Sequence, residues 1–270
     1  MADLLIGGMA LRDGVLLQSQ DNWAAAVRLP DGSVKVRSGP KGRLPGRGAF
    51  DRVPVVRGLS RLAEATIALP AMRRELGRPV LPQEEPALLA AAVGSAAATV
   101  VLRRTMKSAP ILRELVVSVL SLVPALVAVR MSELSRFHGA EHKSVTAYET
   151  GGDPGTAAKE HDRCGTNLLG PLLLTNLAGG LVLRATRRDT DPLATLLTGV
   201  VSLGSAYEIF SWTARHRGNP LADALRYPGL AIQRVFTTRE PTDDQLDVAG
   251  AALDELLRRE GVSPATAATA

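Results

Sequence analysis

Three of the chain's four histidines and its single cysteine fall between His138 and Cys164, in a sequence otherwise nearly free of both. The string Arg136-Phe137-His138-Gly139-Ala140-Glu141-His142-Lys143 sets two imidazoles four residues apart. On a helix these positions share a face one turn apart, so both rings can grip one metal ion. A second half-motif, His161-Asp162-Arg163-Cys164-Gly165-Thr166-Asn167, immediately precedes an apolar run, which predicts Cys164 near a helix N-terminus. The dipole and open N–H groups there favour thiolate, the form that ligates metal or attacks an electrophile. His138, His142, His161 and Cys164 together would make a nitrogen/sulfur site for a divalent metal, zinc by default and iron(II) next. Four protein ligands would close the site and make it structural. With one of them only nearby, a water position opens and Glu141 becomes the natural general base.

The H-x-x-E-H string matches the inverzincin pattern, in which paired histidines hold zinc and the glutamate activates water. Glu149 continues the same helix but lies about 10 Å along its axis from His142, too far to complete the site without a helix break. Glu208, with Tyr207 beside it, is an ionisable group inside an apolar run and thus a functional candidate, as a neighbour of the histidine cluster. The bland alternatives are that the histidines and Glu141 cap helices and bond headgroups at a membrane surface, and that Glu208 is a snorkelling or paired carboxylate. Asn176 is explained by a helix–helix hydrogen bond, and His216 in a basic loop carries no signal.

The elements that must position these residues are of α+β type: a small N-terminal β module plus a helical membrane domain of about four apolar helices. Residues 4–37 are strand-like, and Pro30-Asp31-Gly32 reads as a hairpin turn. A Gly/Pro/Arg-rich linker closes the module near residue 50. Residues 53–76 are helical, with Val56, Leu59, Leu62, Ala63, Ile67 and Leu69 on one side and Arg57, Arg61 and Glu64 on the other. Such a helix either packs on the β module or lies on a membrane surface. The amphipathic helix and a Pro-rich linker fill 51–86. Apolar segments then follow at 87–102, 111–129, 168–183 and 192–212, within a domain spanning 87–227 whose motif loop is 130–167. They are apolar all round rather than striped, which favours membrane spans over buried helices of a soluble bundle. The first and third are short against the roughly 20 residues a span needs. If all four cross, two basic turns (Arg103, Arg104, Lys107; Arg184, Arg187, Arg188) share the face opposite the motif loop, which argues against four full crossings. The tail, 228–270, contains an amphipathic helix at 243–259 and ends in disorder.

Apolar residues are 46% of the chain and charged residues 22%, a balance that fits a part-soluble, part-membrane protein. The net charge of +5 makes the lipid bilayer, with anionic headgroups, the plainest partner. Nucleic acid is not expected, because Phe50 is the only aromatic in the most basic stretch, 35–61. A single cysteine excludes an internal disulfide framework. The N-terminus has no basic, apolar secretory pattern. The expected location is therefore a bacterial cytoplasmic membrane, multi-pass, with both termini and the motif loop on the cytoplasmic side.

On Phe137-His138-Gly139-Ala140-Glu141-His142-Lys143, His161 to Thr166, Tyr207-Glu208, Pro228-Gly229 and the stretch from Gln233 to Pro241, the chain resembles the YqhQ-like bacterial membrane proteins of the domain-of-unknown-function 1385 family. The resemblance implies a multi-pass membrane protein, a family sometimes labelled as metal-dependent enzymes, and no established substrate. Where that family has Gly-Gly-Gln-Ala-Val-x-Glu-Gly-Val-Met-Met-Arg, this chain has Gly7-Gly8-Met9-Ala10-Leu11-Arg12-Asp13-Gly14-Val15-Leu16-Leu17-Gln18, so Gln, Glu and Arg side chains are lost or shortened. Two functions follow: a membrane-embedded metal-dependent enzyme of unknown substrate, read as a hydrolase with Glu141 as base, or a non-catalytic membrane scaffold or regulatory protein with a structural metal site.

Overall fold

The computed structural model describes residues 4–45, 47–79, 81, 86–124, 127, 133–189 and 191–262. Four strands, β1 (Gly7–Leu11), β2 (Gly14–Gln18), β3 (Asn22–Arg28) and β4 (Val34–Pro40), form an antiparallel meander in chain order, leaving β1 and β4 as edges. The expected turn joins β3 to β4, with Gly32 at a φ of 84° and its N–H on the Leu29 carbonyl. The described helices are α1 (Val56–Thr66), α2 (Leu69–Leu76), α3 (Pro86–Thr105), α4 (Pro110–Leu120), α5 (Leu134–Thr150), α6 (Leu169–Ala185), α7 (Pro192–Arg215), α8 (Pro220–Ile232) and α9 (Asp243–Glu260). Short helical turns stand at Arg47–Phe50, Gly165–Leu168 and Gln233–Thr237. The chain is thus α+β.

Both faces of the sheet are covered, which is why β2 and β3 read as continuous apolar runs rather than alternating ones. Leu11, Leu16, Trp23 and Val27 pack on Leu69, Met72 and Leu76 of α2. Val15, Leu17, Ala24 and Ala26 pack on Phe137, Ala140 and Val145 of α5 and on Val248, Ala252 and Leu256 of α9. A reciprocal capping box between Thr242 and Gln245 starts α9, and a left-handed Gly261 ends it. The motif helix α5 is therefore welded to the sheet, and its other faces are free to carry the histidines.

Three helical stretches, Leu88–Thr105, Gly165–Ala185 and Pro192–Arg215, are long and apolar enough to cross a membrane. Only 6%, 22% and 17% of these windows is buried inside the protein, so they do not form the core of a soluble bundle. Of the fourth expected segment, 111–129, the part described as a regular helix is α4, and much of the rest lies outside the described residues. α6 and α7 are bonded by reciprocal hydrogen bonds between Thr175 and Ser202, at 2.9 and 3.0 Å, one residue away from the Asn176 expected to make such a contact. The amphipathic helix of residues 53–76 is broken in two at Ile67-Ala68. Its first half does not bury its apolar side: α1 meets α7 through Gly58, whose missing Cβ leaves room for the Gly204 carbonyl, while Val56 stays exposed.

Candidate metal centre

Gly139 makes the first half of the site possible. A Cβ there would collide with the Arg239 carbonyl, so only glycine lets the backbone after α8 lie on α5, where the Arg239 N–H bonds the Ser135 carbonyl at 2.8 Å. That crossing brings the Thr237 carbonyl to 2.8 Å from His138 Nδ1. One turn on, His142 Nδ1 lies 2.6 Å from the Lys159 carbonyl. A carbonyl can only accept, so each Nδ1 carries the proton and each Nε2 keeps its lone pair. This is the outer-sphere arrangement usual for metal-binding histidines.

One ring nitrogen of His138, one of His142 and Cys164 Sγ all lie within 4.8 Å of one another, and Sγ is 3.3 Å from His138 Nε2. The zinc bond lengths imply ligand atoms about 3.3–3.8 Å apart in a tetrahedron, so small side-chain rotations suffice to close on one ion. Cys164 is buried, caps the Gly165–Leu168 turn with extended backbone, and accepts a hydrogen bond from the Thr166 hydroxyl at 3.2 Å. Its loop is held by Asn167, which donates to the His161 and Asp162 carbonyls. Gln233, fully buried, accepts from the His161 N–H at 2.8 Å and donates to the His161 carbonyl and Asn167 Oδ1. Glu141 Oε2 stands 4.0 Å from His138 Nε2 and 3.8 Å from His142 Nε2. Burial pushes the Glu141 carboxyl pKa up, opposed by His138 and His161, and pushes His142 down, towards the neutral ligand form.

His161 stands outside this trio. Its Nδ1 accepts the Arg163 N–H at 3.3 Å and its Nε2 faces Glu149 at 3.2 Å. Burial lowers its pKa. Glu149 also pairs with Arg163, so it braces the motif loop from the far end of α5. Tyr207 and Glu208 part company. Tyr207 lines a cavity of about 430 Å³ whose wall includes His138, Glu141, His142 and Cys164. Glu208 turns instead to Arg57 of α1 in a two-pronged ion pair, with Arg57 Nε 3.0 Å from Oε1. It ties α1 to α7 and is not among the residues lining the cavity beside His138, His142 and Cys164.

Sequence reasoning missed the carbonyls of Lys159 and Thr237, because backbone acceptors carry no residue signature. It also missed a cluster at the opposite end of the apolar helices. Arg113 and Glu114, both 1% exposed, are joined at 2.8 Å, Arg103 reaches Glu114 at 2.9 Å, and Arg113 reaches Asp189 at 3.2 Å. The adjacent charges within segment 111–129 were the available signal. Two of the arginines near the basic turns are thereby neutralised within the fold.

The family model described as a protein of unknown function, DUF1385, matches residues 85–259, about two thirds of the chain. The chain belongs to that family. A similar protein is the uncharacterized protein YqhQ of Bacillus subtilis (strain 168), 27% identical over 303 aligned positions that cover 95% of this chain and 93% of the relative. No solved structure matches. The matched region contains every member of the His/Cys trio, Glu141, and the Thr237 and Lys159 carbonyls behind it.

Proposed function

We propose that this DUF1385 protein is a membrane-embedded, metal-dependent hydrolase, with His138, His142 and Cys164 holding zinc and Glu141 as general base. The observation that carries the reading is the fixing of both imidazoles through Nδ1, which presents two Nε2 lone pairs and one sulfur to a common point beside a buried carboxylate. Three protein ligands leave a fourth position for water or substrate, and all three line one cavity with Glu141. Bound there, zinc would act as Lewis acid and lower the pKa of water. Glu141 would take the proton from that water and return it to the leaving group. His161, Glu149 and Arg163 support the loop instead of ligating.

The apolar outer faces of α3, α6 and α7 fit a bilayer, and anionic headgroups fit the basic surface around them. The metal end of the spans, together with the β module and α9, is assigned to the cytoplasmic side because the single free Cys164 fits a reducing compartment. A scaffold reading rests on a different observation: the centre draws on α5, the 159–164 loop and the turn after α8, so an ion would also staple those segments together. Metal analysis of purified protein tests both. We expect about one zinc per chain, lost in a His138→Ala/His142→Ala variant; unchanged metal content would remove both readings. Glu141→Gln then separates them, keeping zinc in either case and losing cellular function only if the protein is an enzyme.

A further inference from the structure

β1 is an edge strand placed directly above the candidate base. The two-residue turn Arg12-Asp13 closes on the Leu11–Gly14 pair, so Leu11, Met9 and Gly7 exchange hydrogen bonds with β2. Gly8 and Ala10 therefore turn their N–H and C=O groups outward. Among the described residues, no hydrogen bond outside the sheet uses those groups. Gly7 and Gly8 are exposed, and a Cβ on Gly8 would strike the Glu141 carboxylate. The free edge thus passes over Glu141 with no side chain in between.

Two cavities meet along this edge, sharing Leu5, Gly7, Gly8 and Tyr207 in their walls. One is the metal cavity on the α5 face of the sheet. The other, about 340 Å³, lies on the α1 face and is lined by Gln18, Arg61 and Glu64. There the Gln18 Oε1 atom is buried without a hydrogen-bond partner. An unpaired strand edge is completed by another strand, and a strand's side chains alternate between the two faces. Cavities on both sides of one edge suit that alternation.

Resting on the metal-centre reading above, we infer that the substrate is an extended polypeptide segment that adds to the free edge of β1 and is cleaved at the amide lying over Glu141. The neighbouring strand would run about 4.8 Å from Gly8, which carries one of its carbonyls past the centre. Cleavage consumes one water: its oxygen bonds to the carbonyl carbon, its proton passes to Glu141, the C–N bond breaks, and the proton goes to the departing nitrogen. The second water proton leaves the new carboxyl group for the amine, so the products are a carboxylate and an ammonium group. The inward side chains next to the cleaved bond would meet the metal cavity and those between them would reach Gln18.

The test uses the full chain in nanodiscs loaded with zinc, and a pool of randomised fluorescent decapeptides. Binding is read by polarisation on Glu141→Gln, and cleavage by mass spectrometry on the unaltered protein. We expect binding to weaken at least tenfold when the pool carries N-methyl groups on its backbone amides, and again in Ala10→Pro with zinc content unchanged, while Ala10→Ser binds normally. Should zinc be held yet no peptide bind or be cleaved, or should N-methylated and ordinary pools bind alike, the polypeptide substrate is overturned and the metal centre stands. Absence of zinc from the purified protein overturns both. The N-methylated pool makes the result independent of whether Ala10→Pro folds.

Discussion

Gln233 shows how much of the candidate centre depends on residues that make no hydrogen bond to the side chains of His138, His142 or Cys164. Its amide bonds both the N–H and the carbonyl of His161 and reaches Asn167, so it fixes the loop that presents Cys164. Gln233→Leu would strand those buried groups at about 1–3 kcal/mol and release the loop. Zinc affinity should fall 10–100-fold, as for other outer-sphere partners, measured by competition with a chelating dye; Gln233→Glu, which keeps an acceptor for the His161 N–H, should lose less. An equal affinity in Gln233→Leu and the parent protein would show that the loop needs no such lock. The donor pair on the histidines works in the same way, since a ring whose Nδ1 is already committed has only one nitrogen left to offer.

At the level of elements, the decisive contact is the crossing of the post-α8 backbone over α5 at Gly139. Gly139→Ala would push a Cβ into the Arg239 carbonyl, which is backbone and not the far end of a flexible side chain that could yield. We expect a loss of about 1–3 kcal/mol, seen as a lower Tm, together with a weaker zinc site because Thr237 moves off His138. The docking of α9 on the sheet carries its own pH signature. Arg258 and the Ser38 hydroxyl hold the Glu255 carboxylate at a pKa of about 2, below its ordinary 4.5. The unfolded chain binds this proton first, so the contribution is complete above pH about 4.5 and is lost as pH falls towards 2. Thermal melts of Glu255→Gln should therefore show a shallower decline between pH 5 and 3, with a difference under about 1 kcal/mol at pH 7 because solvent screens the pair. Identical slopes would place the acid sensitivity elsewhere.

On the scale of the whole molecule, the apolar helices carry the candidate metal centre at one end and the Arg103–Arg113–Glu114–Asp189 cluster at the other, about 30 Å away by helix rise. Gly180 leaves space for Glu114 between α4 and α6, where a Cβ would collide with its carboxylate. Glu114→Gln would take the Glu114 carboxylate from Arg103 and leave the buried Arg113 guanidinium with Asp189, at a cost of about 3–5 kcal/mol. The expected result is reduced yield and Tm in detergent with zinc stoichiometry unchanged in the protein that folds, because the two ends share no side chain. Loss of zinc from folded Glu114→Gln protein would contradict that independence. Membrane fractionation of the unaltered chain should place it with integral proteins, resistant to alkaline carbonate wash; release by that wash would count against the spans.

The sequence by itself determined the classes of element and the identities of the reacting groups: strands from β-rich runs and a Gly-bearing turn, apolar helices from length and composition, and a metal-binding reading from His138, His142, Cys164 and Glu141. These are local properties, set by periodicity and by spacing within one helical turn. Only the tertiary structure decided which donors converge. It set His161 against Glu149, turned Glu208 to Arg57, and joined Arg113 to Asp189, because partner choice among charged side chains depends on packing between segments far apart in the chain. It also supplied the Lys159 and Thr237 carbonyls, which every residue type possesses, and which therefore become specific only when the backbone is brought to the right place.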